Sequence, residues 1–143
     1  MKTIARITIL LVIWTLILVA CGQAEPEQKS GAGLANPASV NCEEKGGKVV
    51  MHKRGDLGEY GICLFEDNLQ CEEWAMYRGE CPEGGIKVTG YITEPAVFCA
   101  ITGGEYTITG NSGADDEQGT CTFPSGKTCD VWDYWNGICS ATE

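Results

Sequence analysis

Positive charge and histidine are what this chain has least of. Its 143 residues hold one His and 10 Lys plus Arg against 20 Asp plus Glu, for a formal net charge of -10. A surface that acidic repels phosphate backbones and anionic headgroups, which excludes nucleic acid as a partner and favours basic ligands, divalent cations or simply solubility. The lone histidine, His52, stands in no Cys–His pairing, no Gly-x-Ser-x-Gly elbow occurs, and no two carboxylates stand out as a general acid and base. The chain therefore reads as a non-enzyme. Close C-x₂₋₄-C pairs are missing too, so a zinc site is not expected. The run Asp115-Asp116-Glu117 lacks the spaced ligands and central glycine of a calcium loop. No metal and no cofactor follow from the sequence. Beyond residue 20 no segment is apolar or amphipathic enough to enter a bilayer.

Before residue 20 the picture reverses. "MKTIAR" supplies two positive charges, "ITILLVIWTLILVA" (7–20) is almost wholly apolar, and "LVAC" (18–21) closes it with a small residue before a cysteine. That is the layout of a secretory signal segment, too short and wrongly flanked for a stable span. Loss of Lys2 and Arg6 with it leaves eight basic residues against 20 acidic ones, a net of -12.

Cysteine and glycine are what the chain has in excess. There are nine cysteines and 19 glycines, and both fall in a repeat. "CEEWAMYRGEC" (71–81) returns as "CDVWDYWNGIC" (129–139), "YGICLF" (60–65) as "QGTCTF" (118–123), "CEEKGG" (42–47) as "CAITGG" (99–104), and "NPA" (36–38) as "EPA" (94–96). Two modules result, 36–81 and 94–139, a duplication of one unit. With Cys21 set aside, each module holds four cysteines: Cys42, Cys63, Cys71 and Cys81, then Cys99, Cys121, Cys129 and Cys139. An even set in an exported module too small to build a large core reads as two disulfides per module, with three pairings open.

Local signals outline an α+β module of helix, antiparallel strands and short helix. Asn36-Pro37 starts a helix over 37–45 that carries Cys42, and Gly46-Gly47 stops it. Module two has Thr93 or Glu94 before Pro95. "KVVMHK" and "EYTITG" alternate as half-buried strands, with Val49, Met51, Tyr106 and Ile108 inward and His52 outward. A second strand carries Cys63 and Phe65, or Cys121 and Phe123, on one face. Turns at Asp67-Asn68 and Ser125-Gly126 follow. A helix begun near Cys71 would stack Trp74 and Tyr77 beside that cysteine, and Trp132 and Trp135 beside Cys129. We read these aromatics as a hydrophobic plug against the disulfides. Residues 22–35 form a flexible tether. In the connector 82–93, "IKVTGYI" has strand character that could join the copies into one body.

The runs "NPASVNCEEKGG", "YGICLF" and "CEEWAMYRGEC", with the second copy joined through "GGIKVTGYITEPAVFCAITGGEY", resemble the bacterial small Cys-rich domain of unknown function 333. The resemblance covers nearly all of 36–139. It implies a frequent lipoprotein and sometimes the label hemolysin, but no activity and no catalytic residues. "LVAC" similarly resembles the bacterial lipoprotein box, which implies a lipid on Cys21 as first mature residue. Several acyl chains, at about 0.8 kcal/mol per buried CH₂, anchor firmly. The expected localisation is the cell envelope: the outer membrane where the host has one, otherwise the outer face of the plasma membrane. The expected role is a non-catalytic interaction or structural module for a protein or glycan. The alternatives are a protease inhibitor presenting Lys53-Arg54, or a hemolysin-like factor. Arg54-Gly55-Asp56, an integrin-type tripeptide without a counterpart in module two, reads as coincidence.

Intact mass of the protein purified from membranes should show loss of residues 1–20 and added acyl chains. A different first residue, or release by high salt without detergent, would overturn lipidation at Cys21.

Overall fold

The computed structural model describes residues 35–142, which belong to one compact unit. The signal segment, Cys21 and most of the tether lie outside the described residues.

Each module opens with a helix. In α1 (Pro37–Glu44) the Asn36 side chain accepts from the Ala38 N–H at 3.0 Å and Pro37 takes the first turn, where no donor is needed. In α3 (Glu94–Ile101) Thr93 caps the Ala96 N–H at 3.3 Å. Both helices end at a Gly-Gly pair whose members differ in role. Gly46 and Gly103 adopt φ of 83° and 88°, the left-handed turn that terminates a helix. At Gly47 and Gly104 a Cβ would run into the sulfurs of the first disulfide of that module.

An antiparallel sheet follows in each copy. Module one orders β1 (Lys48–Lys53), β2 (Glu59–Leu64), β3 (Leu69–Glu72) and β4 (Ile86–Lys87) side by side, and module two orders β5 (Glu105–Gly110), β6 (Gln118–Thr122) and β7 (Thr128–Asp130). Asp67 and Asn68, at φ 56° and 59°, make the tight turn between β2 and β3. β4 comes from the connector and adds a fourth strand to module one's sheet. Connector residue Val88 then packs with Ile62 and Ile101, an apolar contact shared by the two modules.

Four disulfides close within the modules: Cys42–Cys63, Cys71–Cys81, Cys99–Cys121 and Cys129–Cys139. Cys63 and Cys71 face each other across the β2–β3 ladder, as do Cys121 and Cys129 across β6–β7, yet neither pair bonds. The first of each reaches back to the opening helix and the second forward past the short helix.

Three expectations need correction. Cys71 and Cys129 do not start helices. They sit in β3 and β7, and the short helices α2 (Glu73–Tyr77) and α4 (Val131–Trp135) begin two residues later. Glu72 and Asp130 are the helix caps, their carboxylates accepting from Ala75 and from Trp132 and Asp133. The later start turns a different face inward. In module one Glu73, Ala75 and Met76 are buried, while Trp74 is 38% and Tyr77 50% exposed, so the plug read there does not form. In module two Trp135 is buried and Trp132 partly so, with Tyr134 as the main inward aromatic. Phe123 is buried and Phe65 lies half-buried against the sulfurs. Finally, Met51 is 56% and Ile108 48% exposed, because each sits in the second half of an edge strand where the next residue in the strand is exposed as well.

The glycines Gly61 and Gly119 hold equivalent places under different side chains. A Cβ at Gly61 would collide with the Glu73 carboxylate, and one at Gly119 with the Tyr106 ring. Glu73 is only 4% exposed and accepts from Asn36 Nδ2 at 2.9 Å and Ser39 Oγ at 2.6 Å, tying α1 to α2. Tyr106 instead donates its hydroxyl to buried Glu117 at 3.0 Å.

Non-reducing peptide mapping should return the four bridges named above and none between modules. Replacing Cys42 and Cys63 together by Ala should cost about 2–4 kcal/mol in denaturant unfolding. A loss well below 1 kcal/mol would show that the helix holds its place on the sheet without the bridge.

Candidate functional site

The modules meet along a cleft of about 610 Å³. Module one contributes the loop after β1, the start of β2 and the outer side of α2. Module two contributes α3 and α4. Neither copy alone can form it.

Arg54, in the β1–β2 loop, makes the wall. It reaches into module two, where its guanidinium carbon stands 4.2 Å from the Phe98 ring centroid, 5.5 Å from Tyr134 and 5.9 Å from Trp135. Its Nε donates to the Trp135 carbonyl at 2.7 Å and its Nη2 to the Tyr134 carbonyl. Those carbonyls belong to the last turn of α4, where the negative end of the helix dipole suits a cation, and the Tyr134 carbonyl also accepts from the Gly137 N–H at 3.1 Å. Burial lowers the guanidinium from its ordinary 12.5, opposed by the neighbouring Tyr134 and Tyr60 hydroxyls, and it remains a cation throughout the physiological range.

Tyr60, at the start of β2, completes the aromatic group. Its ring meets Phe98 edge-on at 5.3 Å and Trp135 edge-on at 6.4 Å. Burial, with Glu94 nearby, pushes its hydroxyl up to about 12, so it stays protonated. The Tyr134 hydroxyl donates to Thr102 Oγ1 at 3.0 Å, and Thr102 in turn donates to the Phe98 carbonyl at 2.7 Å, so α3 and α4 are locked together. On the facing side Trp74, set edge-on to Tyr77 at 5.8 Å, borders the cleft.

Charged side chains also border the cleft. Arg78 and Glu80 hold each other through two hydrogen bonds of 2.9 and 2.7 Å. Glu59 and Glu72 line the cleft with no basic partner among the described residues. Glu72 is 8% exposed and its Oε2 accepts from the Ala75 N–H at 2.7 Å. Such a cleft can hold a ligand through aromatic faces and carboxylates. Among the described residues no three His, Cys, Asp or Glu side chains cluster as a metal site.

Most of this site was not singled out from sequence. Of the basic pair at 53 and 54, Lys53 is exposed at the end of β1 while Arg54 is engaged with module two and is not displayed on a loop tip. Tyr60, Phe98 and Tyr134 went unnoticed. The available signal was difference between copies: Phe98 and Tyr134 stand where module one has Asn41 and Met76, and Arg54 stands where module two has Asn111.

The sequence profile of a domain of unknown function, DUF333, matches residues 33–80 and again 93–138. The chain belongs to the DUF333 family. Similar relatives are the uncharacterized protein YoaF of Escherichia coli K12 and its counterparts in Escherichia coli O6:H1 and Shigella flexneri. Each is 33% identical over 72 residues, which is 48% of this chain and 84% of the relative. No solved structure matches the chain. The cleft thus lies between two DUF333 copies and depends on their being in tandem. No helix among the described residues is long and apolar enough to cross a membrane.

Burial raises the Glu72 carboxyl above its ordinary 4.5, against the pull of the Ala75 and Trp74 backbone N–H groups. A carboxyl with a raised folded-state pKa takes up its proton first in the folded chain, so its contribution favours folding as pH falls through that value and is lost as pH rises through it. Glu72→Gln should therefore flatten the dependence of Tm on pH in the interval just above 4.5. An unchanged slope would show that Glu72 titrates as a solvent-exposed carboxylate does.

Proposed function

We propose that the protein is a lipid-anchored, extracytoplasmic, non-catalytic binding module whose inter-module cleft docks a partner in the cell envelope. The cleft carries this reading: it is concave, it joins aromatic faces to carboxylates lacking basic partners, and both copies are needed to build it. The signal layout and "LVAC" support export and anchoring. Four disulfides suit an oxidising compartment.

The inhibitor alternative is weakened because Arg54, the side chain best suited to a trypsin-like pocket, is bound within the protein. The hemolysin alternative draws on no observation in the described residues.

A photo-crosslinking residue placed at position 74, on the cleft, should capture a protein or glycan in envelopes of the native host, identified by mass. The same residue at position 40, exposed on α1 and outside the cleft, should not. Equal capture at both positions, or none at 74, would overturn the reading.

A further inference from the structure

Duplication left the ends of the Arg54 contact on different copies. Module one supplies the guanidinium and lacks the cage, having Asn41, Met76 and Tyr77 where module two has Phe98, Tyr134 and Trp135. Module two supplies the cage and has Asn111 in place of the arginine. Two aligned copies of one unit have thus become a ligand and its receptor.

The receptor's chemistry is that of a guanidinium site. A planar cation stacks on Phe98 at 4.2 Å, and its N–H groups are aimed at two adjacent carbonyls, those of Tyr134 and Trp135. A compact ammonium cannot lie flat on the ring and reach both carbonyls together. Arg54, Phe98 and Tyr134 all line the cleft, so the receptor opens onto it. Arg54 itself has no carboxylate partner among the described residues, whereas Glu59 borders the same cleft without a basic partner. The chain's net charge of -10 draws cations toward that rim.

We propose that the Phe98–Tyr134–Trp135 cradle is an arginine-recognition site, with Arg54 as its resident occupant, and that the partner is a basic protein segment whose own arginine takes over the cradle. The proposal rests on reading the cleft as a docking site and names what docks there. The incoming segment gains the aromatic and carbonyl contacts that Arg54 gives up, and its further positive charges meet Glu59 at the rim. Self-occupation by Arg54 reduces the fraction of protein competent to bind and so lowers the apparent affinity by that fraction.

This leads to an outcome that a purely structural clamp would not give. The full-length protein in detergent is titrated with the tripeptide Gly-Arg-Gly-amide and with its lysine analogue, following tryptophan fluorescence and heat. Arg54→Ala should bind the arginine peptide at least about tenfold more tightly than the unmodified protein, and both should prefer arginine over lysine by a similar factor. Phe98→Leu in the Arg54→Ala background should abolish the preference. Equal or weaker binding by Arg54→Ala, or no preference for arginine, overturns the proposal. Should Arg54→Ala lose its near-ultraviolet circular dichroism, Arg54→Lys supplies the same comparison with a poorer resident occupant, judged by the same outcomes. If the peptide binds neither form while a crosslinker at position 74 still captures a partner, the arginine proposal falls and the docking cleft stands. If both fail, both fall.

Discussion

Each module depends on one constraint, the bridge that fastens its opening helix to the middle of its sheet. Fewer than fifty residues cannot bury enough apolar surface to hold an eight-residue helix against three strands by packing alone. Cys42–Cys63 and Cys99–Cys121 remove that freedom from the unfolded chain, and the remaining geometry follows. The glycine at 47 or 104 is needed because the disulfide occupies the space of its side chain. The glycine before it turns the chain back toward the sheet. The second bridge of each module then secures the chain that leaves the short helix. Module one's core is built around sulfur with few large side chains, whereas module two adds Phe98, Phe123, Tyr134 and Trp135 to its bridges.

With the frame held covalently, the positions around it were free to diverge between copies. Glu73 in module one occupies the place of Val131 in module two, and the frame accommodates both. The carboxylate survives burial because Asn36 and Ser39 donate to it. Module two buries aromatics at the places of Asn41 and Met76, and its core extends toward the junction. Module one keeps a polar Asn41 and an aliphatic Met76 where module two became aromatic, and the cleft formed between them.

Arg54 ties that junction together. A partly desolvated cation over aromatic faces contributes on the order of 0.5–2 kcal/mol, and its bonds to the two carbonyls at the end of α4 add to it. The apolar contact of Ile62, Val88 and Ile101 supplies the other half of the interface. Because the polar half uses a cation from one module and acceptors from the other, a ligand cation can enter the same chemistry. Association between the modules and recognition of a partner then draw on the same few atoms.

Much of the architecture was legible in the amino-acid order. Spacing of cysteines, Gly-Gly stops, Asn-Pro and Thr-Glu-Pro starts and period-two runs are local signals, and local sterics and capping decide them. The two modules, the opening helices, the first two strands of each sheet, the Asp67-Asn68 turn and a strand in the connector all follow from such signals. The third strands did not. Leu69–Glu72 and Thr128–Asp130 are too short to show a period, and what extends them is the ladder partner on the neighbouring strand. That two-residue delay in helix start rotates α2 and α4, so which aromatic is buried depended on a hydrogen bond made across the sheet. Trp135 is buried although its counterpart Tyr77 is exposed, because Tyr60 and Arg54 of the other module cover it. The sequence alone determined the repeat, its four cysteines per module and its acidic surface, since each is a property of residues close together or of their sum. Which cysteines pair was decided by the fold. Only the tertiary structure decided the cleft, because contacts such as Arg54 to Trp135, 81 positions apart, depend on how one finished module rests on the other.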